Sequence, residues 1–86
     1  MDKELDEHTR DRIKAIILTH KEVKGLHDLR TRYSGMQLFI QFHLELDGDM
    51  TLHEVHHISD AIEADILAAF PNAEVTIHED PDGVEE

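Results

Sequence analysis

The sequence predicts an α+β fold in the order α-β-β-α-β, with two helices on one face of a three-stranded sheet. Three observations predict it. Residues 37–46, "QLFIQFHLEL", alternate apolar and polar side chains without a break, the period of a strand with one buried face. Residues 51–70 carry apolar residues at helical spacing behind a capping signature. A second alternating stretch, "NAEVTIHEDP", follows Pro71.

The elements follow in order. In "DKELDEHTRDRIKAIILTHKEVKG", Ile13, Ile16 and Ile17 form one helical face that Leu5 could extend. A helix is expected over residues 6–21, with Gly25 as a stop signal. "GLHDLRTRYSG" reads as a strand over about 25–33, and Ser34-Gly35 supplies a turn. In the next strand Leu38, Ile40, Phe42, Leu44 and Leu46 point inward, whereas Phe39, Gln41, His43 and Glu45 point outward. The two strands form a hairpin. Thr51 and Glu54 open the second helix, which carries Val55, Ile58, Ile62, Ile66 and Ala69 inward and closes at Pro71. In the third strand Val75 and Ile77 face the core, while Thr76, His78 and Asp80 face away. Both helices must cover the apolar sheet face, because nothing else can. The second helix then serves as the crossover that gives the third strand a parallel neighbour.

With 86 residues the chain makes one domain, with a core over about 6–82 and a polar tail at 83–86. A domain of this size buries only about 60–65% of its extended-chain surface, so pairing with a second copy would deepen its core. Asp and Glu number 20 against 8 Lys and Arg, a net charge of −12. That sign argues against nucleic acid and anionic lipid and favours cations. The chain has no cysteine, which excludes disulfides and thiolate metal sites. No apolar run approaches a membrane span.

Histidines dominate the candidate chemistry. The outward sheet face carries His43, Glu45, His78 and Asp80, with His27 at the start of the first strand. Imidazole and carboxylate without thiolate suit Zn²⁺, Fe²⁺, Mn²⁺, Co²⁺ or Ni²⁺. The plain reading of any single one of these residues is an ordinary polar sheet face; the set from different strands is what argues for a site. On the second helix His53, His56, His57 and Asp60 form a stripe at i, i+3, i+4 and i+7. His53 with His57, or His56 with Asp60, could chelate locally. His8 and His20 are expected on the surface, and Arg30 and Arg32 in ion pairs. No Gly-rich phosphate loop or G-x-S-x-G is present, and "HEVHH" is read as lacking the order of an H-E-x-x-H motif. The chain is not expected to be an enzyme.

"GLHDLRTRYSG", "FIQFHLELD", "VHHISDAIEADILAAFP" and "VTIHEDP" together resemble the C-terminal cytoplasmic domain of cation diffusion facilitator transporters, nearest the bacterial zinc and iron efflux members, over about residues 9–82. The resemblance implies a ferredoxin-like, metallochaperone-like fold and a homodimer. It also implies attachment to a transmembrane domain that exchanges divalent metal for protons at the inner (plasma) membrane. By position it implies metal ligands at His27, His43, His78 and Asp80, with His56 contributed by the partner subunit. Zn²⁺ is the metal it favours, with Fe²⁺, Cd²⁺, Mn²⁺, Co²⁺ and Ni²⁺ as alternatives. His53 and His57 have no counterpart in that pattern, and Glu45 matches no ligand. The resulting expectation is a regulatory metal sensor whose closed dimer is favoured by metal. Two Zn²⁺ per chain would move −12 to −8 and lower repulsion between subunits. The alternatives are a purely structural dimerisation module and a free-standing metallochaperone.

Overall fold

A computed structural model describes residues 6–83. Its elements are α1 (Glu7–Leu18), β1 (Gly25–Ser34), β2 (Gln37–Leu46), α2 (Leu52–Ala69) and β3 (Ala73–Pro81), in the expected order. Leu5, as an extension of the α1 face, and tail residues 84–86 lie outside the described residues.

Helix α1 begins at Asp6, whose carboxylate accepts the Thr9 N–H at 2.8 Å. This supplies a partner to one of the free first-turn donors. The same hydrogen bond, made to the charged form, lowers the Asp6 pKa below the ordinary aspartate value. Ile13 and Ile17, one turn apart, are fully buried. The helix is shorter than the expected 6–21. At its end the Thr19 hydroxyl donates to the Ile16 carbonyl at 2.7 Å, and the Thr19 N–H also turns back onto that turn. These bonds satisfy the terminal carbonyls early, so Gly25 opens β1 and plays no part in stopping the helix.

The β1–β2 hairpin closes on Gly35 and Met36, between the paired Ser34 and Gln37. Gly35 has φ +64°, the conformation that the first central position of a II′ turn requires. On α2 the capping box is complete. Thr51 N–H donates to Glu54 at 2.8 Å, and Glu54 N–H donates to the Thr51 hydroxyl at 3.1 Å.

The sheet order is β1-β2-β3, antiparallel between β1 and β2 and parallel between β2 and β3. β2 is therefore the central strand. Leu38, Ile40, Phe42, Leu44 and Leu46 on its inner face are at most 2% exposed. Each fully buried side chain of this kind contributes about 1.5–3 kcal/mol. They pack with Ile13, Ile17, Ile58, Ile62 and Ile66 of the helices. Because both helices cover this face, the other face of the sheet is left open, and the candidate site lies there. His20, expected as a plain surface residue, instead joins the two helices. Its Nε2 lies 2.8 Å from Asp65 on α2.

Candidate metal site

Strand pairing sets the site. His27 of β1 lies opposite His43 of β2, and His43 lies beside His78 of β3. Three imidazoles thus form one row across all three strands, with His43 in the centre. The next row runs Gly25, Glu45, Asp80. Neighbouring strands are about 4.8 Å apart, so side chains in a row reach one another. The His43 and His78 rings stack with centroids 4.7 Å apart and planes 17° from parallel. His43 Nδ1 lies 3.0 Å from Asp80 Oδ2, and His27 Nε2 lies 3.7 Å from Glu45 Oε2.

A β-bulge puts His27 into this row. Strict alternation along β1 would place His27 on the face of Thr31, which pairs with the inward Ile40 and is 3% exposed. Between His27 and Arg30 the register slips, so that Asp28 and Leu29 together oppose Phe42. The extra residue reverses the alternation. Asp28 takes φ +54°, a left-handed conformation that Asp tolerates better than most residues. Arg10 of α1 holds the bulge from below. Its guanidinium donates to the Leu29 carbonyl at 3.0 Å and to the Thr31 hydroxyl at 3.2 Å. The one buried hydroxyl on β1 is thereby satisfied, and so is a carbonyl that the bulge displaces from the ladder.

Gly25 occupies the outward position two residues before His27. A Cβ there would lie 3.1 Å from both His27 Nε2 and Glu45 Oε1. The missing side chain lets these two groups approach each other. Further along the face, Arg32 lies over the Phe39 ring at 4.3 Å, which covers an outward aromatic next to its cross-strand partner.

His27, His43, His78 and Asp80 therefore share one face. His56 does not join them within the chain, because it is exposed on α2 in the helical layer. Glu45, expected on the outward face at i+2 from His43 but matched to no ligand, sits in the second row against His27. Among the described residues, no three His, Asp or Glu side chains already converge on one coordinating point. The His43–Asp80 contact leaves the second ring nitrogen of His43 and the second oxygen of Asp80 for a cation, and side-chain rotation would bring the donors together. The donors fit a divalent cation in kind and number: three imidazoles and one carboxylate, on side chains that are at least one-third exposed for His43 and more for His27 and Asp80.

One reading of the sequence needs correction. Residues 53–57 are His-Glu-Val-His-His, and His53, Glu54 and His57 do stand in H-E-x-x-H order. The Glu54 carboxylate, however, is the capping-box acceptor for Thr51 N–H, so the glutamate serves the helix end. A hydrolytic role does not follow from the motif.

Comparison with known proteins identifies the chain. The family described as cation efflux protein, cytoplasmic domain, matches residues 5–82. The chain belongs to this family. The cation efflux domain is 56% identical over 85 residues to the cation-efflux pump FieF of Shewanella oneidensis, covering 99% of this chain and 29% of that protein. It is 50% identical to protein p34 of Rickettsia rickettsii over 86 residues, all of this chain and 29% of that one. The domain thus spans under a third of the length of these relatives. Among solved structures, the metal-bound C-terminal domain of the CzcD transporter from Thermotoga maritima superposes with a TM-score of 0.84 at 29% identity, covering 95% of this chain and all of that one. A zinc form of CzrB, a proposed zinc transporter, superposes with a TM-score of 0.87 at 34% identity, covering 100% and 99%. No described helix of the domain is long and apolar enough to cross a membrane.

Proposed function

We propose that this cation efflux domain is the metal-responsive, dimerising part of a divalent-cation efflux transporter of the inner membrane. In this reading His27, His43, His78 and Asp80 of one subunit hold the ion, and His56 of a second copy completes the site. The observation that carries the reading is the row of three histidines across three strands, with Asp80 bonded to its central member. The exposure of His56 on a layer remote from that row supports its use by a second copy. The relatives named as cation-efflux pumps and the metal-bound and zinc-form neighbours support the cargo class.

The donor chemistry favours Zn²⁺ over hard cations, which prefer all-oxygen sites. A bound ion supplies positive charge between two acidic surfaces. His43 faces Asp80 through Nδ1 and keeps Nε2 for the ion, and His27 keeps Nδ1 beside the nitrogen that lies near Glu45. Subunits of −12 each repel; a site shared between them binds the closed arrangement better than the open one and so shifts the population toward it.

Zinc titration calorimetry of the chain at neutral pH, with sedimentation in zinc and in chelator, tests this. A saturable zinc count that falls in His78→Ala/Asp80→Ala, with tighter association in zinc, is expected. Binding unchanged in that variant would overturn the site. Equal association in zinc and chelator would leave a purely structural dimerisation module.

A further inference from the structure

We propose that the cation efflux domain carries a second divalent-cation site on α2, formed by His53 and His57 with Glu22, separate from the sheet-face row. The two histidines stand at i and i+4, so both project from one side of the helix with Cβ atoms about 5–6 Å apart. That spacing lets two imidazoles chelate one ion, as in helical zinc motifs. Both side chains are exposed, and both line one open groove of about 340 Å³ with Glu22, Met50, Glu54 and Ile58. Glu22 reaches this groove from the α1–β1 connection and supplies a carboxylate opposite the helix. Glu54 is committed to the cap through Thr51, which leaves Glu22 as the free acidic donor. Met50 and Ile58 give the groove an apolar floor, which strengthens a charge interaction above it.

The three donors do not converge as they stand; rotation of exposed side chains brings them together. His56 is adjacent in sequence to His57 but is turned about 100° around the helix axis, so it addresses a different direction. The stripe on α2 therefore divides its histidines: His56 for a partner copy, His53 and His57 for an ion held within the chain. Two imidazoles and one carboxylate select borderline cations such as Zn²⁺, Ni²⁺ or Co²⁺ over Ca²⁺ and Mg²⁺. The site stands whether or not the sheet-face reading does.

Zinc titration followed by nitrogen-resolved NMR of the histidine side chains tests it, in wild type and in His43→Ala/His78→Ala/Asp80→Ala. In that triple variant the His53 and His57 resonances are expected to shift saturably with one Zn²⁺ per chain. Adding His53→Gln and His57→Gln is expected to abolish this last ion while circular dichroism stays unchanged. In otherwise wild-type chain the same two substitutions are expected to lower the zinc count by one. Glu22→Gln is expected to weaken the site about tenfold; unchanged affinity would remove Glu22 from it. No saturable shift at His53 and His57, or a zinc count unchanged by their replacement, would overturn the proposal. A triple variant that binds as many ions as wild type would count against the sheet-face site alone.

Discussion

His27 faces His43 across the β1–β2 ladder only because Asp28 and Leu29 share a single partner, Phe42. The bulge, and not the alternation of the strand, determines which face of the sheet the first histidine occupies. Its stability should therefore govern the site.

Asp28 is the strained element, at φ +54°. Asp28→Gly relieves the strain and is expected to leave stability and zinc binding intact. Asp28→Val adds a β-branched residue to a left-handed position and is expected to cost about 1–3 kcal/mol. Urea unfolding checks stability; zinc calorimetry on the same samples checks whether affinity falls with it.

Arg10 links α1 to the bulge through the Leu29 carbonyl and the Thr31 hydroxyl. Arg10→Met keeps much of the apolar stem but leaves two buried acceptors without that donor. The expected loss is about 1–3 kcal/mol. A weaker zinc affinity should accompany it, because Arg10 bonds the backbone that carries His27. Loss of stability with unchanged affinity would separate the bulge from the site.

Gly25→Ala tests the crowding of His27 and Glu45. The added Cβ would lie 3.1 Å from both, and the His27 side chain is 60% exposed and free to swing aside. The substitution is therefore expected to disturb ligand position more than folding. Zinc affinity should drop several-fold while the unfolding midpoint stays near that of wild type.

Asp6 gives a pH dependence whose sign is fixed. Its pKa is lowered in the folded chain, chiefly by the Thr9 backbone N–H. The carboxylate's contribution to α1 is thus fully present above the ordinary aspartate value, about 3.9. It is lost as pH falls through the lower folded value. Amide exchange at Thr9 and the following turn should quicken over that acidic window. Asp6→Asn, a competent cap without the charge, should flatten the dependence.

Most of the fold was legible because β2 and α2 state their periods plainly. Leu38 through Leu46 alternate without exception, and Thr51 with Glu54 marks a helix start that the structure reproduces. The end of α1 was not legible: Thr19 closes the helix with its own hydroxyl, a local bond that no periodicity announces. Of the proposed ligands, His43, His78 and Asp80 follow from strand alternation. His27 was read beside them at the start of the first strand, and the resemblance of "HDLRTR" to a known pattern agreed, but the extra residue in β1 that turns it to this face is invisible to a two-residue period. The Gly25 gap beside Glu45 needed the cross-strand register. The H-E-x-x-H order at 53–57 is present in the letters, against the expectation that "HEVHH" lacks it.

With β2 at the centre of the order, β3 ends the sheet, and one side of its backbone has no strand to pair with among the described residues. Glu74, Glu79, Asp80 and Asp82 line and follow that strand, and Pro81 interrupts its donors. Such charges deter a foreign strand from adding to an open margin. The acidity that attracts cations to this domain thus also keeps its copies from polymerising edge to edge. Glu74→Gln/Glu79→Gln should raise light scattering on prolonged incubation at high concentration, long before any change in the folded core is detectable.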